Sequence, residues 1–418
     1  MQAVRPAPPR FADPEQAANV ARSFDLRRIG PDFIANPFPT YNALRDHAPV
    51  ARMPDGGYFL SRYDDCIAVY KDAKLFSSDK KAEFRPKFGD GLLYQHHTTS
   101  LIFNDPPLHT RVRKIIAGAL NPRAVADMEA PMIALTDQLL DAMEAKGEVD
   151  LIGDLAAAVP IEVIGNLLAI PHELRSPLRG WSLAILGALE PSPGPKLLEA
   201  GELAVAEFLG YLQVLVAERR RKPGDPARDV LTRLILGEQG GEKLSEIELL
   251  QNVIFILNAG HETTTNLIGN GLYALLEWPD QKARLLADPS LINTTVEEIL
   301  RFESPVQIGN RMATEDAIVG GTAIPAGSFI TVGIAAANRD PKEFADADRF
   351  DCARAQNRHV AFASGVHFCV GLAIARMEGR IAIGRFLKRF PGYRLAAEPV
   401  RGGRARFRGF LAIPVALA

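Results

Sequence analysis

The sequence has very little cysteine: three residues among 418, Cys66, Cys352 and Cys369, with no C-x-x-C spacing. An odd number of widely separated thiols excludes a disulfide framework, a four-cysteine structural zinc site and a plant-type iron–sulfur cluster. Free thiols are typical of a reducing compartment, so we expect a cytoplasmic protein.

Net charge and long apolar runs are scarce as well. A formal net charge of −2 gives no basis for binding nucleic acid or an acidic lipid surface. The run NVIFIL at 252–257 is far shorter than the ~20 residues of a membrane span, so we expect no membrane association. The first 16 residues contain several prolines, whereas a secretory signal needs an apolar run there. Roughly the first 20 residues are expected to be a flexible segment.

The order of local patterns predicts a mainly α protein with a minor β region, forming one domain over residues 1–418. Alternating residues around the turn PDGG predict a β-hairpin over 50–62, and helical patterns then dominate to about residue 303. Short extended runs follow at 317–333, then irregular chain, a turn at Cys369 and one more helix. The last stretch, 404–417, is predicted to be a pair of strands.

One helix is predicted to be unusually long. Ser245 and Glu248 have the spacing of a capping box and Pro279 ends the pattern, which gives about 31 residues, or roughly 46 Å at ~1.5 Å per residue. Its middle, AGHETTTN at 259–266, contains Gly260 and three threonines, which weaken a helix. Glu262 and Thr263 therefore lie where the helix opens most easily. The flanking residues are apolar nearly all round, which predicts burial of the Glu262 carboxylate.

Two further motifs have ordinary interpretations when each is taken alone. In NTTVEEILRFESP, at 293–305, Glu298 and Arg301 fall opposite the apolar arc and would form an exposed ion pair of little energetic value. In FASGVHFCVG, at 362–371, a lone cysteine between glycines would be a small buried apolar residue.

Taken in order, AGHETT, EILR, DADRF and FASGVHFCVG resemble the cytochrome P-450 family of haem-thiolate monooxygenases in its soluble bacterial form. The resemblance extends upstream to DPPLHTRVRK at 105–114 and so covers essentially the whole chain. It implies a single-domain cytochrome P-450 fold with a long central distal helix and a proximal Cys loop. It also implies heme b (iron protoporphyrin IX) as cofactor, with the Cys369 thiolate as axial iron ligand. Gly365 and Gly371 would let the loop approach the porphyrin, and N–H groups of the turn would stabilise the sulfur charge.

The resemblance assigns roles to further residues. It places four basic side chains on the haem propionates: His109, Arg113, Arg311 and His367. It makes Glu262 and Thr263 an acid–alcohol pair that delivers protons during oxygen activation. It replaces the exposed ion pair by a buried network of Glu298, Arg301 and Arg349. Ala363 departs from the family pattern, which has Gly, Ser, Asn or His at this place; we expect a tolerated change that affects the haem potential more than haem binding.

The implied activity is insertion of one atom of dioxygen into a small or medium apolar substrate, with electrons from a separate ferredoxin and its NAD(P)H-dependent reductase. Arg111, Lys114 and Arg358 are candidates for the docking patch. Two alternatives stay open, a peroxide-driven peroxygenase and a non-enzymatic haem sensor.

Substrate walls are expected from residues 92–103, 189–195 and 304–309 and from Ile256 and Ala259. Polar groups that could orient a substrate are His96, His97, Thr98, Thr99, Ser100 and Gln307.

Overall fold

The computed structural model describes residues 6–226, 229–239 and 242–417. Helices dominate, as predicted. The α-helices of this part are α1 Pro14–Arg22, α2 Pro31–Ala35, α3 Phe38–His47, α4 Tyr63–Lys71, α5 Lys81–Phe88, α6 Leu92–Thr99, α7 Leu108–Ala119, α8 Pro122–Ala126, α9 Glu129–Lys146, α10 Ala158–Leu167, α11 Leu178–Gly187, α12 Pro195–Arg221, α13 Val230–Leu236, α14 Glu246–Glu277, α15 Pro279–Ala287, α16 Ile292–Phe302, α17 Ile334–Ala337 and α18 Leu372–Arg389.

The strands are short. They are β1 Val50–Arg52, β2 Tyr58–Leu60, β3 Phe76–Ser77, β4 Glu148–Asp150, β5 Glu238–Gln239, β6 Glu242–Lys243, β7 Ile308–Ala313, β8 Ala317–Val319, β9 Thr322–Ile324, β10 Phe329–Gly333, β11 Arg394–Leu395, β12 Val400–Arg401, β13 Phe410–Ala412 and β14 Pro414–Ala416. Single turns of 3₁₀-helix occur at Leu26–Arg28, Leu101–Phe103, His172–Leu174, Pro289–Leu291 and Gly365–His367, and a π-helical turn at Ile152–Ala156.

The main sheet has the strand order β1-β2-β10-β7-β3. The predicted hairpin is confirmed, since β1 pairs antiparallel with β2 in the register Val50 to Leu60. The extended run at 317–333 forms the hairpin β8–β9 and then β10, which returns to the main sheet beside β2 and β7.

The prediction of a strand pair at 404–417 is wrong. β13 pairs with β12, whereas β14 pairs with β11 and β4. Only Ile413 separates β13 from β14, which leaves no room for a chain reversal. The backbone of Ile413 instead bonds the Asp150 side chain and Leu151, so the chain passes from one small sheet to the next.

Helix α14 runs through the centre of the molecule, and its predicted limits are confirmed. Ser245 caps it in a complete capping box with Glu248, and it ends at Glu277, just before Trp278 and Pro279. Its first half contributes Val253 and Ile254 to one large apolar cluster, and its second half contributes Leu267 to the other. Because both clusters are built on one helix, α14 fixes the position of everything that packs on its middle.

Two further observations concern the surface of the fold. The carbonyls of Pro8 and Pro9 accept hydrogen bonds from Asn36 and Asn42, and α1 follows; flexibility of the first 20 residues stays a prediction. Judged only by its length and its apolar composition, helix α12 could cross a membrane, although it contains no long uninterrupted apolar run. Its inner side packs Phe208 and Leu212 into the core, as in a core helix.

Candidate active site

The loop before α18 presents the Cys369 sulfur at the start of that helix. The Cys369 N–H donates to the Phe362 carbonyl at 3.0 Å, and the turn Gly365–His367 precedes it. Gly365 has a φ of 67°, and a Cβ there would lie 2.3 Å from the Tyr70 carbonyl oxygen, so only glycine fits. The backbone N–H groups of Gly371 and Leu372 act on the sulfur and favour its charged form. The predicted arrangement of a sulfur in a glycine-jointed turn is therefore present.

The protein environment alone does not ionise this sulfur. Burial raises the pKa of the Cys369 thiol, while the N–H groups of Gly371 and Leu372 and the charges of Arg113 and Arg376 act in the opposite direction. A bound metal ion deprotonates a coordinating thiol outright. The loop thus holds a neutral thiol ready for a metal that supplies the missing positive charge.

The structure brings the four predicted basic residues together beside this loop. The His109 and His367 rings lie 4.1 Å apart between centroids, and Arg113 donates to the Phe368 carbonyl at 2.6 Å. Arg311 donates to the Asn310 carbonyl at 2.7 Å and is nearly fully buried. Burial lowers the pKa of His109 to about 4 and that of His367 to about 2, with a further contribution from the neighbouring arginines.

Negative charge is scarce around these basic groups in the part of the chain that the structure describes, where Asp105 is the acid whose charge acts on His109 and Arg311. Within the described residues, neither Arg113 nor Arg311 forms an ion pair, and both ring nitrogens of His109 and Nε2 of His367 have no hydrogen-bond partner. Buried cations need a counter-charge. A cofactor with two carboxylates next to an iron fits both this cluster and the neighbouring thiol.

One face of α14 is accessible in the middle of an otherwise buried helix. Ile256, Ala259, Gly260 and Thr263 follow the i, i+3, i+4, i+7 spacing of a single stripe, and each is at least partly exposed. Val370, next to Cys369, packs on the same apolar cluster as Ile256. The Thr263 hydroxyl donates to the Ala259 carbonyl at 2.6 Å, which confirms that the threonines compete for helix carbonyls.

The Glu262 carboxylate is buried, as predicted, and is paired with an arginine that the sequence did not suggest. Arg404 donates from Nη1 to Glu262 Oε1 at 2.6 Å and from Nη2 to the Leu183 carbonyl at 2.8 Å. Burial raises the pKa of Glu262 to about 7, against the opposing effect of Arg404. Arg404 lies 142 positions further along the chain, in a stretch interpreted as a strand, and no local pattern links the two.

Comparison with known proteins agrees with this geometry. A family model for Cytochrome P-450 matches residues 194–392. Cytochrome P-450 107B1 of Saccharopolyspora erythraea is 41% identical over 391 residues, covering 90% of this chain and 93% of the relative. This chain belongs to the cytochrome P-450 family. The Vitamin D(3) 25-hydroxylase of Pseudonocardia autotrophica is 38% identical over 392 residues, covering 92% of this chain and 94% of the relative.

The fold gives the same result. The crystal structure of P450BioI in complex with hexadec-9Z-enoic acid ligated acyl carrier protein matches with a TM-score of 0.86 at 32% identity, covering 93% of this chain and 100% of that one. Cytochromes P-450 are haem-thiolate monooxygenases in which a cysteine is the axial ligand, and bacterial members use redox partners and dioxygen. In this cytochrome P-450, the axial cysteine is Cys369.

The buried ion-pair network of this cytochrome P-450 differs from the expected one. Glu298 and Arg301 are fully buried and bidentate, at 2.7 and 2.8 Å. This confirms the burial that the resemblance implied, and the exposed pair that the helical pattern alone suggested is wrong. The assignment of Arg349 is also wrong. Its side chain is half exposed and pairs with Asp280, and only its backbone carbonyl accepts from Arg301. Arg354, five residues further, donates from Nε to Glu298 Oε2 at 3.0 Å.

This correction gives a prediction for two arginines. Arg354→Met is expected to lower the free energy of unfolding by about 2 kcal/mol, since it removes a hydrogen bond between charged groups in a buried network. The control Arg349→Met is expected to cost less than about 1 kcal/mol, because it removes an exposed ion pair. Urea unfolding of the haem-loaded protein, followed by haem absorbance, measures both. Equal losses in the two variants would contradict the assignment.

The substrate walls stay a prediction. Several of the expected polar groups are used within the protein: His96 bonds Gln251 at 2.8 Å, Ser100 bonds the His96 carbonyl at 2.6 Å and Gln307 bonds the Ser304 carbonyl at 2.6 Å. An apolar cluster joins four residues of the predicted wall segments to four residues outside them. The first four are Tyr94, Phe103, Leu189 and Val306, and the other four, which the sequence did not suggest, are Phe84, Phe88, Leu186 and Phe407.

Two of the three cations in the expected docking patch form ion pairs with acidic side chains. Arg111 pairs with Glu248, and Arg358 pairs with Glu343 at 2.8 Å, whereas Lys114 is exposed. The docking role of these three residues stays a prediction.

The backbone of Ala363 has an unfavourable conformation, which the small size of its side chain does not reveal. Its φ of 58° lies in the left-handed region, where an L-residue costs roughly 1–2 kcal/mol. Ala363→Gly is therefore expected to raise the free energy of unfolding by about 1 kcal/mol, with part of the gain offset by the entropy of glycine in the unfolded chain.

Ala361→Gly is the matched control, because Ala361 lies in the same loop and its φ is not positive. It is expected to lower stability by up to ~1 kcal/mol. Denaturant unfolding of both haem-loaded variants is the measurement, and shifts of the same sign would contradict this account of Ala363.

Proposed function

We propose that this cytochrome P-450 hydroxylates small or medium apolar organic molecules in the cytoplasm, with electrons delivered by a separate ferredoxin and its NAD(P)H-dependent reductase. The observation that carries this proposal is the Glu262–Thr263 pair on α14. Thr263 belongs to the accessible stripe of the helix, and Glu262 has a pKa raised to about 7. A carboxyl group with that pKa can gain and lose a proton at neutral pH.

The haem, when bound, supplies the iron that activates dioxygen, and its thiolate ligand increases electron density there. The residues of this chain do the rest. Cys369 supplies the sulfur, and the N–H groups of Gly371 and Leu372 stabilise its charge. His109, Arg113, Arg311 and His367 would hold the two propionates.

On the distal side, Glu262 would deliver protons, and the Thr263 hydroxyl would direct their transfer. The ion pair with Arg404 keeps Glu262 Oε1 in place, so that Oε2 is the oxygen free to exchange a proton. The Thr263 hydroxyl, held by the Ala259 carbonyl, presents its oxygen lone pairs toward the accessible side of α14.

Apolar substrates are favoured by the surfaces next to this pair. Ile256 and Ala259 lie on the accessible stripe, and the cluster around Phe84 and Phe407 is apolar. Ser100 and Gln307 already donate to backbone carbonyls, whereas His97 Nε2 and Gln307 Oε1 have no partner among the described residues and could bind one polar group of a mainly apolar substrate.

A panel of steroids, fatty acids and small aromatic compounds tests the substrate class. Titration of the haem-loaded protein is expected to give a low-to-high-spin shift with apolar members, as the substrate displaces axial water. A panel in which no apolar compound shifts the spectrum would contradict this part of the proposal.

The electron source is tested with the best ligand of that panel. Product is expected with NAD(P)H, reductase and ferredoxin, and much less with hydrogen peroxide alone. The reverse result would indicate a peroxygenase. A reduced, CO-bound protein without a strongly red-shifted absorption band would indicate a haem sensor instead.

A further inference from the structure

A small polar pocket lies on the side of α14 away from the accessible stripe. It has a volume of about 30 Å³, and His261, Glu262 and Asn266 line it from the helix. Arg179 and Arg404 contribute two cationic side chains to its wall. Leu411, which is half exposed, also lines it, so one end of the pocket lies near the protein surface.

The three helix residues present polar atoms that find no partner among the described protein atoms. These atoms are Nδ1 and Nε2 of His261, Oε2 of Glu262 and Nδ2 of Asn266. All three residues are at most 5% exposed. A buried polar atom without a hydrogen bond is costly, and such atoms in native proteins are usually satisfied by ordered water.

The dimensions of the pocket suit water. A single water molecule needs roughly 10–15 Å³ of this kind of space and two to four polar partners. The pocket is therefore large enough for one or two water molecules and too small for an organic ligand. His261 and Asn266 offer hydrogen bonds on one side, and Glu262 Oε2 accepts on the other.

We propose that water in this pocket is the entry point for protons to Glu262, and that His261 and Asn266 are the residues that position it. The inference rests on the proposed role of Glu262. An O–H bond of the water breaks as an O–H bond forms at Glu262 Oε2, and the water oxygen takes a proton from the next water toward solvent. The net result is that one proton passes from solvent water to the Glu262 carboxylate, and the pocket water is unchanged. Arg404 occupies the other carboxylate oxygen and leaves Oε2 for this exchange.

The charges around the pocket make His261 a positioning residue and not a store of protons. Burial lowers the pKa of His261 to about 3, and the charge of Arg179 contributes in the same direction. Arg404 and Glu190 are the other charged groups that act on Glu262. A neutral imidazole both donates and accepts a hydrogen bond, which is what a water relay needs.

Two variants test the proposal in the haem-loaded enzyme with its electron donor. His261→Phe keeps a ring of similar size without nitrogen atoms, and Asn266→Leu removes the amide. Each is expected to lower the product formed per NAD(P)H at least threefold and to change the isotope effect in D₂O. Peroxide-supported product formation, which brings its own protons, is expected to stay within twofold of wild type. Asn258→Leu is the matched control: a buried amide of the same helix that does not line the pocket.

Unchanged coupling and isotope effect in both variants would overturn the proposal. If Glu262→Gln also left the product formed per NAD(P)H unchanged, the proposed function of Glu262 would be wrong, as well as the proposed role of the pocket water. Should either variant fail to bind haem, a high-resolution crystal structure of the wild-type holoenzyme decides. Ordered water within hydrogen-bond distance of Glu262 Oε2 and His261 supports the proposal, and a dry pocket overturns it.

Discussion

Cys369→Ser is expected to reduce turnover by at least about 10³-fold, which corresponds to roughly 4 kcal/mol of lost transition-state stabilisation. Serine is nearly isosteric, so the loop with its Gly365 turn and its N–H groups should keep its shape. The hydroxyl is much less acidic than the thiol, and its oxygen is a harder ligand. The electron density that the thiolate supplies to the iron would be lost.

The optical spectrum separates this result from simple misfolding. The strongly red-shifted absorption band of the reduced, CO-bound wild type should disappear in Cys369→Ser, even in protein that still contains haem. Cys352→Ser is the control, because Cys352 is buried in the core cluster behind α16. It should keep the band. A Cys369→Ser variant with the parent's spectrum and turnover would refute the assignment of the axial ligand.

The sequence alone predicted the parts of this fold that depend on local patterns. The capping box at Ser245 and the stop at Pro279 fixed both ends of α14, because capping depends on a few neighbouring residues. The hairpin β1–β2 followed from its turn. The partners of β13 and β14 could not be predicted in the same way, since each strand pairs with a distant segment through backbone groups that all residues share.

The site was predicted to a similar extent. The family resemblance named four basic residues that the structure brings beside the Cys369 loop, and their roles stay a prediction. Motifs singled out Cys369 itself because the glycine turn and its spacing are specific. They did not identify Arg404 or Arg354, whose roles depend on where the tertiary fold brings a common residue type next to a buried carboxylate. Burial itself was the other gap. On a helical wheel Glu298 and Arg301 lie opposite the apolar arc, yet a loop from residues 338 to 354 covers that face.

Glu262→Gln is expected to lower the rate of product formation by about 10²-fold, within the usual range for loss of a general acid, and to lower the product formed per NAD(P)H as well. The wild type should also lose coupling as pH rises through about 7, because the carboxyl group with its raised pKa gives up its proton there. The glutamine variant, which cannot titrate, should show no such decline. In Arg404→Gln the decline should move to higher pH, since the Arg404 cation favours the carboxylate and lowers the pKa of Glu262.

Glu277→Gln provides a control on the same helix. Burial also raises the pKa of Glu277 to about 7, with Glu303 contributing in the same direction, but Glu277 lies at the far end of α14. Its variant should keep the wild-type pH dependence of coupling. If Glu262→Gln and Glu277→Gln behaved alike, the pH dependence would reflect the stability of α14 and not proton delivery. A decline that is absent only in Glu262→Gln, and displaced upward in Arg404→Gln, requires that the titrating group is the Glu262 carboxyl itself.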